Sequence, residues 1–500
     1  MRKQLLGMTL VTGIALVIQL GCSGTVSPGG GTVNPPNGTV VVFGGDAPLC
    51  SILSFNMTIT GMTLTPASSS SPVSILPAGQ SLTLDYASLM DYSAPITLAS
   101  VPTGSYSTLN LTLSNAQLTY WDTTKNPAGP TSVSLTLPSL TVTLSLSPTL
   151  TVSSSGASAL QLDFDLLQSV VLDQSNQITS NALSTFTLTP AALGSSNTFA
   201  EIEDLRGIVT SVTTTGSNPA YTGSFALQTP AGPTVTVNVS GSTKFDGVTG
   251  LSSLATGTFV QVDASIDSRG KLLANEVQAE EQENAANGQA AFKGLITSVT
   301  RDSSGNATQF NLFVSEEAPD VSSQVSLHSV LTFNVSTSTN FVITAQAQAS
   351  NLANFTFNPQ TLGVGQQVVA HGQLPAPGTS PFTADARAIY LGTQSILGNL
   401  STLPSTPVVT GSDGHTGGFT LVPCSPLYQS QPPITEISFL QTHFTGTGLT
   451  NLNSLEIPGT HFLLVKGILS YQQTTGNKNG VAWVPPANVQ AATEVHQLPQ

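Results

Sequence analysis

The chain has 500 residues, enough for several domains of ~100–200 residues each. Only 8% of them are charged, far below the usual ~25%, and the formal net charge is −14. Without a Lys/Arg cluster such a surface excludes nucleic acid as a partner, because phosphates are held by Lys and Arg. Hydrophobic residues make up 39% and alternate with polar ones, which excludes disorder throughout.

The chain opens with Met1-Arg2-Lys3, an apolar stretch through Leu5, Leu6, Val11, Ile14, Leu16, Val17 and Ile18, then Leu20-Gly21-Cys22. A basic start and a short apolar region form the usual export pattern, and the stretch is marginal for spanning a bilayer of about 30 Å. It resembles a bacterial lipoprotein signal (residues 1–21), in which the cysteine becomes the lipidated first residue. Gln19 departs from that pattern, which prefers Leu there; Leu20 and Gly21 fit it. An ordinary secretory signal or an uncleaved anchor are the alternatives. Ser23 after the cysteine implies, by the same resemblance, sorting to the outer membrane, periplasmic or surface face. Residues 22–38, rich in Gly, Pro and Thr, read as a flexible tether.

Residues 39–195 read as one all-β domain. Val133, Leu135 and Leu137 alternate with polar residues, as do Leu140, Val142, Leu144 and Leu146; Leu109, Leu111 and Leu113; and Leu162, Phe164 and Leu166. Such alternation marks half-buried strands, and a β-sandwich buries one face of many short strands. Asp46-Ala47-Pro48, Ser54-Phe55-Asn56-Met57-Thr58-Ile59, Val101-Pro102-Thr103-Gly104-Ser105-Tyr106, Leu162-Asp163-Phe164-Asp165 and Phe186-Thr187-Leu188-Thr189-Pro190 follow one another in order. Together they resemble the bacterial family domain of unknown function 4382, which implies an exported sandwich with no assigned activity.

The second half repeats itself. Arg206-Gly207-Ile208-Val209-Thr210-Ser211-Val212 returns as Lys293-Gly294-Leu295-Ile296-Thr297-Ser298-Val299. Thr243-Lys244-Phe245 returns as Thr339-Asn340-Phe341, and Gly257 and Gly365 each precede an alternating run. Thr442-His443-Phe444 and Leu452-Asn453-Ser454-Leu455, which matches Leu251-Ser252-Ser253-Leu254, announce a diverged third copy. Units at 200–282, 290–395 and 405–497, each of about five strands, suggest small OB-like β-barrels. Their motifs resemble a second family, domain of unknown function 5666. The expected fold is therefore all-β: a sandwich followed by two or three small barrels.

Candidate chemistry is sparse. With Cys22 lipidated, Cys50 and Cys424 remain as a pair that an oxidising compartment lets form a disulfide; two separate buried thiols are the alternative. Glu276, Glu280, Glu281 and Glu283 read as a short polar helix or solvated spacer without the spacing of a calcium loop. The histidines (His328, His371, His415, His443, His461 and His496) show no compact ligand spacing, so no metal and no cofactor is expected. Asp163 and Asp165 fit the solvated face of a strand better than a glycosidase pair. Tyr120 and Trp121 beside the Asn126-Pro127 turn offer a surface for stacking on sugars, against the commoner reading as packing. No nucleophile motif stands at a strand-to-helix turn, so the chain is not expected to be an enzyme. The expectation is a lipid-anchored envelope protein that binds or scaffolds an unknown envelope protein or glycan. A carbohydrate-binding or adhesive protein is the alternative, and a secreted hydrolase the remoter one.

Overall fold

Apolar and polar residues in alternation make strands that bury one face, and strands account for most of this chain. The computed structural model describes residues 36–47, 50–69, 71–76, 79–89, 94–135, 141–154, 157–165, 170–172, 178–183, 188–193, 199–214, 220–229, 234–267, 271–344, 356–400, 408–428, 431, 433–446, 448–455, 462–472 and 487–497. The leader, Cys22, His461 and Trp483 lie outside them. No helix among the described residues is long and apolar enough to cross a membrane.

The first twelve strands are β1 (Asn37–Ala47), β2 (Ile52–Pro66), β3 (Val73–Ser74), β4 (Leu82–Asp85), β5 (Ala94–Pro102), β6 (Gly104–Asp122), β7 (Gly129–Leu135), β8 (Thr141–Val152), β9 (Ala157–Asp165), β10 (Val170–Leu172), β11 (Ile178–Leu183) and β12 (Leu188–Leu193). One sheet runs β12-β9-β1-β5; the other runs β3-β2-β6-β7 with β4 on β2 and β8 on β6. Val42, Phe55, Leu109, Leu111, Leu162 and Phe164 share the core of this sandwich. Strand β1 starts at Asn37, inside the stretch expected to be tether, and Gly38 is there for a reason. A Cβ on it would meet Ser153 O at 2.1 Å.

Two motifs acquire a physical meaning. Tyr106 donates its hydroxyl to Pro102 O at 2.7 Å, a tyrosine corner that pins the start of β6. Within β6 the buried positions switch from Leu109, Leu111 and Leu113 to Ala116 and Leu118. Asn115, at φ 51°, causes the switch, because an extra residue in one strand turns the following side chains to the other face.

Barrel 1 comprises β13 (Phe199–Thr213), β14 (Gly223–Gln228), β15 (Thr234–Val239), β16 (Lys244–Asp246), β17 (Thr258–Ile266) and β18 (Leu272–Gln282). Barrel 2 comprises β19 (Gln289–Arg301), β20 (Ala307–Ala318), β21 (Val330–Asn334), β22 (Asn340–Ile343), β23 (Gln367–Gln373) and β24 (Thr383–Leu391). In each, five strands close a ring through a parallel pair, β15–β18 and β21–β24 respectively. This is the five-stranded Greek-key barrel of the OB type. The last six strands, β25 (Gln394–Leu400), β26 (Val408–Val409), β27 (Gly417–Pro423), β28 (Ile434–Thr445), β29 (Phe462–Gln472) and β30 (Ala487–Gln497), repeat the ring as β25-β27-β28-β30-β29. Here β28 does the work of two strands: it pairs with β30 twice, before and after a register shift between Ser438 and His443.

Three devices recur. In the Thr-x-Phe motif the threonine hydroxyl donates to the last strand of its ring: Thr243 to Ala274 O (2.7 Å), Thr339 to Ala386 O (2.8 Å) and Thr442 to Ala492 O (2.7 Å). The first strand of each ring needs glycine where the neighbouring backbone comes close. A Cβ on Gly207, Gly294 or Gly398 would lie 2.2, 2.0 or 2.4 Å from a carbonyl oxygen of the paired strand. The Leu-x-Ser-Leu segments form matching 3-10 turns at Leu251–Ser253 and Leu452–Ser454. In both, the serine hydroxyl accepts a backbone N–H four residues back.

Barrel 1 covers the outer side of the first sheet, where Val41, Phe43, Ala157 and Ala159 join its core. The Glu-rich stretch is neither helix nor spacer. Through Gln282 it is strand β18, and a 3-10 turn at Ala285–Asn287 leads into barrel 2. Its apolar partners, Ala274 and Val277, bury one face in barrel 1 and so hold the whole segment extended.

Candidate functional site

Cys50 follows β1 and Cys424 follows β27, and the structure joins them in a disulfide with Cα atoms 5.3 Å apart. Trp121, at the end of β6, is only 8% exposed and packs with Leu400, Leu427 and Tyr428 of the third ring. Its backbone N–H donates to Ser51 O at 3.0 Å, beside the disulfide. The expected stacking surface is therefore corrected: a large apolar indole on this edge is covered by the ring that the disulfide brings against it. Tyr120 is half-buried on the sandwich core, and burial, then the charge of Asp122, raises its pKa. A cavity of ≈140 Å³ lies at this seam, lined by Cys50, Leu53, Gly294, Phe313, Gln394 and Tyr428.

A dense group of ionisable side chains sits where barrel 1 meets barrel 2. His371 on β23 is completely buried. Its Nδ1 lies 2.5 Å from Glu283 Oε1 and its Nε2 lies 2.6 Å from Glu280 Oε2, and both carboxylates are closed to solvent. Arg387 on β24 reaches Glu281 at 2.9 Å and Glu283 at 2.7 Å. Phe259 and Tyr390 stand edge-on to the imidazole at 5.6 and 5.0 Å. Burial alone would push the His371 pKa down. The hydrogen bonds and charges of Glu280 and Glu283 outweigh it and hold it up to about 9. Burial, then these carboxylates, pushes Tyr390 upward.

Two β-bulges build this joint. Thr258 pairs with Gln282 and Val260 with Ala279, so Glu280 and Glu281 together oppose Phe259 alone. His371 pairs with Ala388 and Gly372 with Ala386, leaving Arg387 as the extra residue. A bulge re-aims side chains, and here the bulges bring Glu280 onto His371 and Arg387 onto Glu281 and Glu283. Ligand atoms of Glu281, Glu283 and His371 all lie within 4.8 Å of one another. Glu280 Oε1 and Glu283 Oε2 are buried without a hydrogen-bond partner among the described residues.

A second buried acid lies inside the third ring. Glu436 on β28 pairs with Gln490 on β30, and both are 0% exposed. Counting from the matching Ala274, Ala386 and Ala492, barrel 1 has Val237 and Leu272 at these places, and barrel 2 has Phe333 and Ala384. Both oxygens of Glu436 and Gln490 Oε1 lack partners among the described residues, and burial raises the Glu436 pKa well above the usual carboxyl range.

None of these joints follows from local spacing. His371 stands far along the chain from Glu280 and Glu283, and only ring closure brings them together. The usable signal was the cluster of Glu280, Glu281 and Glu283 at a strand end within a chain so poor in charge. His443 is exposed. The side chains of Asp163 and Asp165 lie outside the described ones; their strand β9 is paired on both sides, by β1 and β12.

Residues 37–181 match the family described as domain of unknown function DUF4382, and residues 206–278 match that described as domain of unknown function DUF5666. The first match spans most of the sandwich and the second most of barrel 1. No curated protein and no solved structure matches the chain.

Proposed function

We propose that this chain is an exported, lipid-anchored protein of the bacterial cell envelope with a non-catalytic binding or scaffolding role. The observation that carries the reading is the Cys50–Cys424 bond, which links the sandwich to the third ring across 374 residues of sequence. Such a bond belongs to oxidising compartments, in keeping with the leader ending at Cys22. It ties the two ends of a string of β units into one body, as a scaffold requires. The ionisable residues of the other joint likewise hold barrel to barrel. Two matched families without assigned activity are compatible with this role. The carbohydrate alternative rests on the Ser/Thr-rich strand faces and on Tyr120 and Trp121, and it loses the Trp121 part of that support because this residue is packed.

The test is expression of the full chain and its Cys22→Ser variant in a Gram-negative host, with fractionation, intact mass and cross-linking in whole cells. The wild-type chain is expected in the outer-membrane fraction with acyl mass on Cys22 and a discrete cross-linked envelope partner. The variant should lose the acyl mass and the membrane partition. A wild-type chain that stays cytosolic with free thiols would overturn the proposal.

A further inference from the structure

We propose that Glu281, Glu283 and His371 form a binding site for a divalent cation of the zinc class at the joint between barrels 1 and 2. The inference is independent of the lipid anchor and of any envelope partner.

Four observations carry it. The donor atoms of the three residues already lie within 4.8 Å of one another. A tetrahedral ion with ligands at ~2.0–2.2 Å holds its donor atoms roughly 3.3–3.6 Å apart, so small side-chain adjustments suffice. Second, His371 has the outer partner expected of a ligating imidazole. Its Nε2 lies 2.6 Å from Glu280 Oε2. A carboxylate on one ring nitrogen fixes the tautomer and turns the other toward the metal. With the proton on Nε2, the Nδ1 lone pair faces Glu283. Third, Glu283 Oε2 and Glu280 Oε1 are fully buried acceptors with no partner among the described residues. Oxygen left bare in a closed site calls for a cation or donor.

The fourth is the chemistry of the donor set. The mixed nitrogen and carboxylate donors suit zinc better than calcium, which takes oxygen alone. Arg387 keeps 26% of its side chain exposed and competes for Glu281 and Glu283.

The site is particular to this joint. By strand register Asp263 and Lys466 stand where His371 stands, so neither sister ring offers an imidazole.

The experiment is calorimetric titration of the full chain with Zn²⁺ after chelator dialysis, with Ca²⁺ and Mg²⁺ as comparisons. One Zn²⁺ per chain is expected, with a rise in Tm on binding. Glu281→Gln, at a half-exposed position, should keep the fold and weaken binding at least tenfold. His371→Asn should abolish it. Glu280→Gln should weaken it about 10–100-fold through ligand orientation. Arg387→Gln should tighten it by removing the competitor. If His371→Asn fails to fold, Glu281→Gln and Arg387→Gln moving affinity in opposite directions still decide. Absence of saturable Zn²⁺ binding, binding indifferent to Glu281→Gln and Arg387→Gln, or preference for Ca²⁺ would each overturn the assignment.

Discussion

Opening the Cys50–Cys424 bond tests the architecture most directly. The perturbation is reduction of the folded chain, with the Cys50→Ala/Cys424→Ala double variant as its permanent counterpart. In the chain-entropy picture a cross-link restricts the unfolded ensemble by the loop it closes. For the 374-residue separation seen here that amounts to about 20 cal/mol/K, or ~6 kcal/mol at 25 °C, while native bonds commonly deliver ~2–5 kcal/mol. The upper figure applies only if sandwich and rings unfold together. Trp121, packed on the third ring beside the bond, joins the two regions and favours that cooperativity. The assay is urea unfolding followed by far-UV circular dichroism, with thiol counting on the oxidised protein. The midpoint should fall on reduction by the equivalent of ~2–6 kcal/mol with little change in slope, and the double variant should reproduce it. Two free thiols in the oxidised protein, or a midpoint indifferent to reduction, would refute the reasoning.

Glu436→Val puts into the third ring the residue that barrel 1 carries as Val237, and should stabilise the chain by ~1–3 kcal/mol in urea at pH 7, since it removes an unpartnered buried carboxyl; a lower midpoint would show that Glu436 has a partner. Glu317 is 5% exposed, and burial together with the hydrogen bond and charge of Asp320 lifts its pKa to about 7. The folded state then holds this proton longer than the unfolded one, so its contribution is full below pH 4.5 and is lost as pH rises to about 7. Glu317→Gln should flatten Tm across that interval, and an unaltered pH profile would count against the assignment. Gly294→Ala places a methyl 2.0 Å from Phe313 O and should cost on the order of 2–4 kcal/mol. Gly241→Ala, in open space, is the control and should stay within about 0.5 kcal/mol.

The strands were legible because burial on one face writes itself into a period of two. Leu109-Leu111-Leu113 and Val142-Leu144-Leu146 fall where that period places them. The break at Asn115 was not legible, since an inserted residue leaves both flanking runs regular and only shifts their phase. The repeat was legible through Arg206-Gly207 against Lys293-Gly294, and through Thr243, Thr339 and Thr442. The two glycines and the three threonines each answer to a backbone contact inside their own ring, so each ring must keep them. The Glu-rich stretch misled for the converse reason. Its glutamates satisfy contacts in the next ring, and read locally they look like a solvated surface.

Local chemistry alone was enough to specify an all-β chain, its half-buried strands and the recurring unit, because each depends on residues close in sequence or on a pattern repeated within one unit. The choice of a Cys50–Cys424 bond over two separate thiols, of packing over exposure for Trp121, and the meeting of Glu280, Glu281 and Glu283 with His371 and Arg387 came only with the tertiary structure. Each joins residues of different units. Their proximity is set by how closed rings pack on one another, and the spacing along the chain carries no record of that packing.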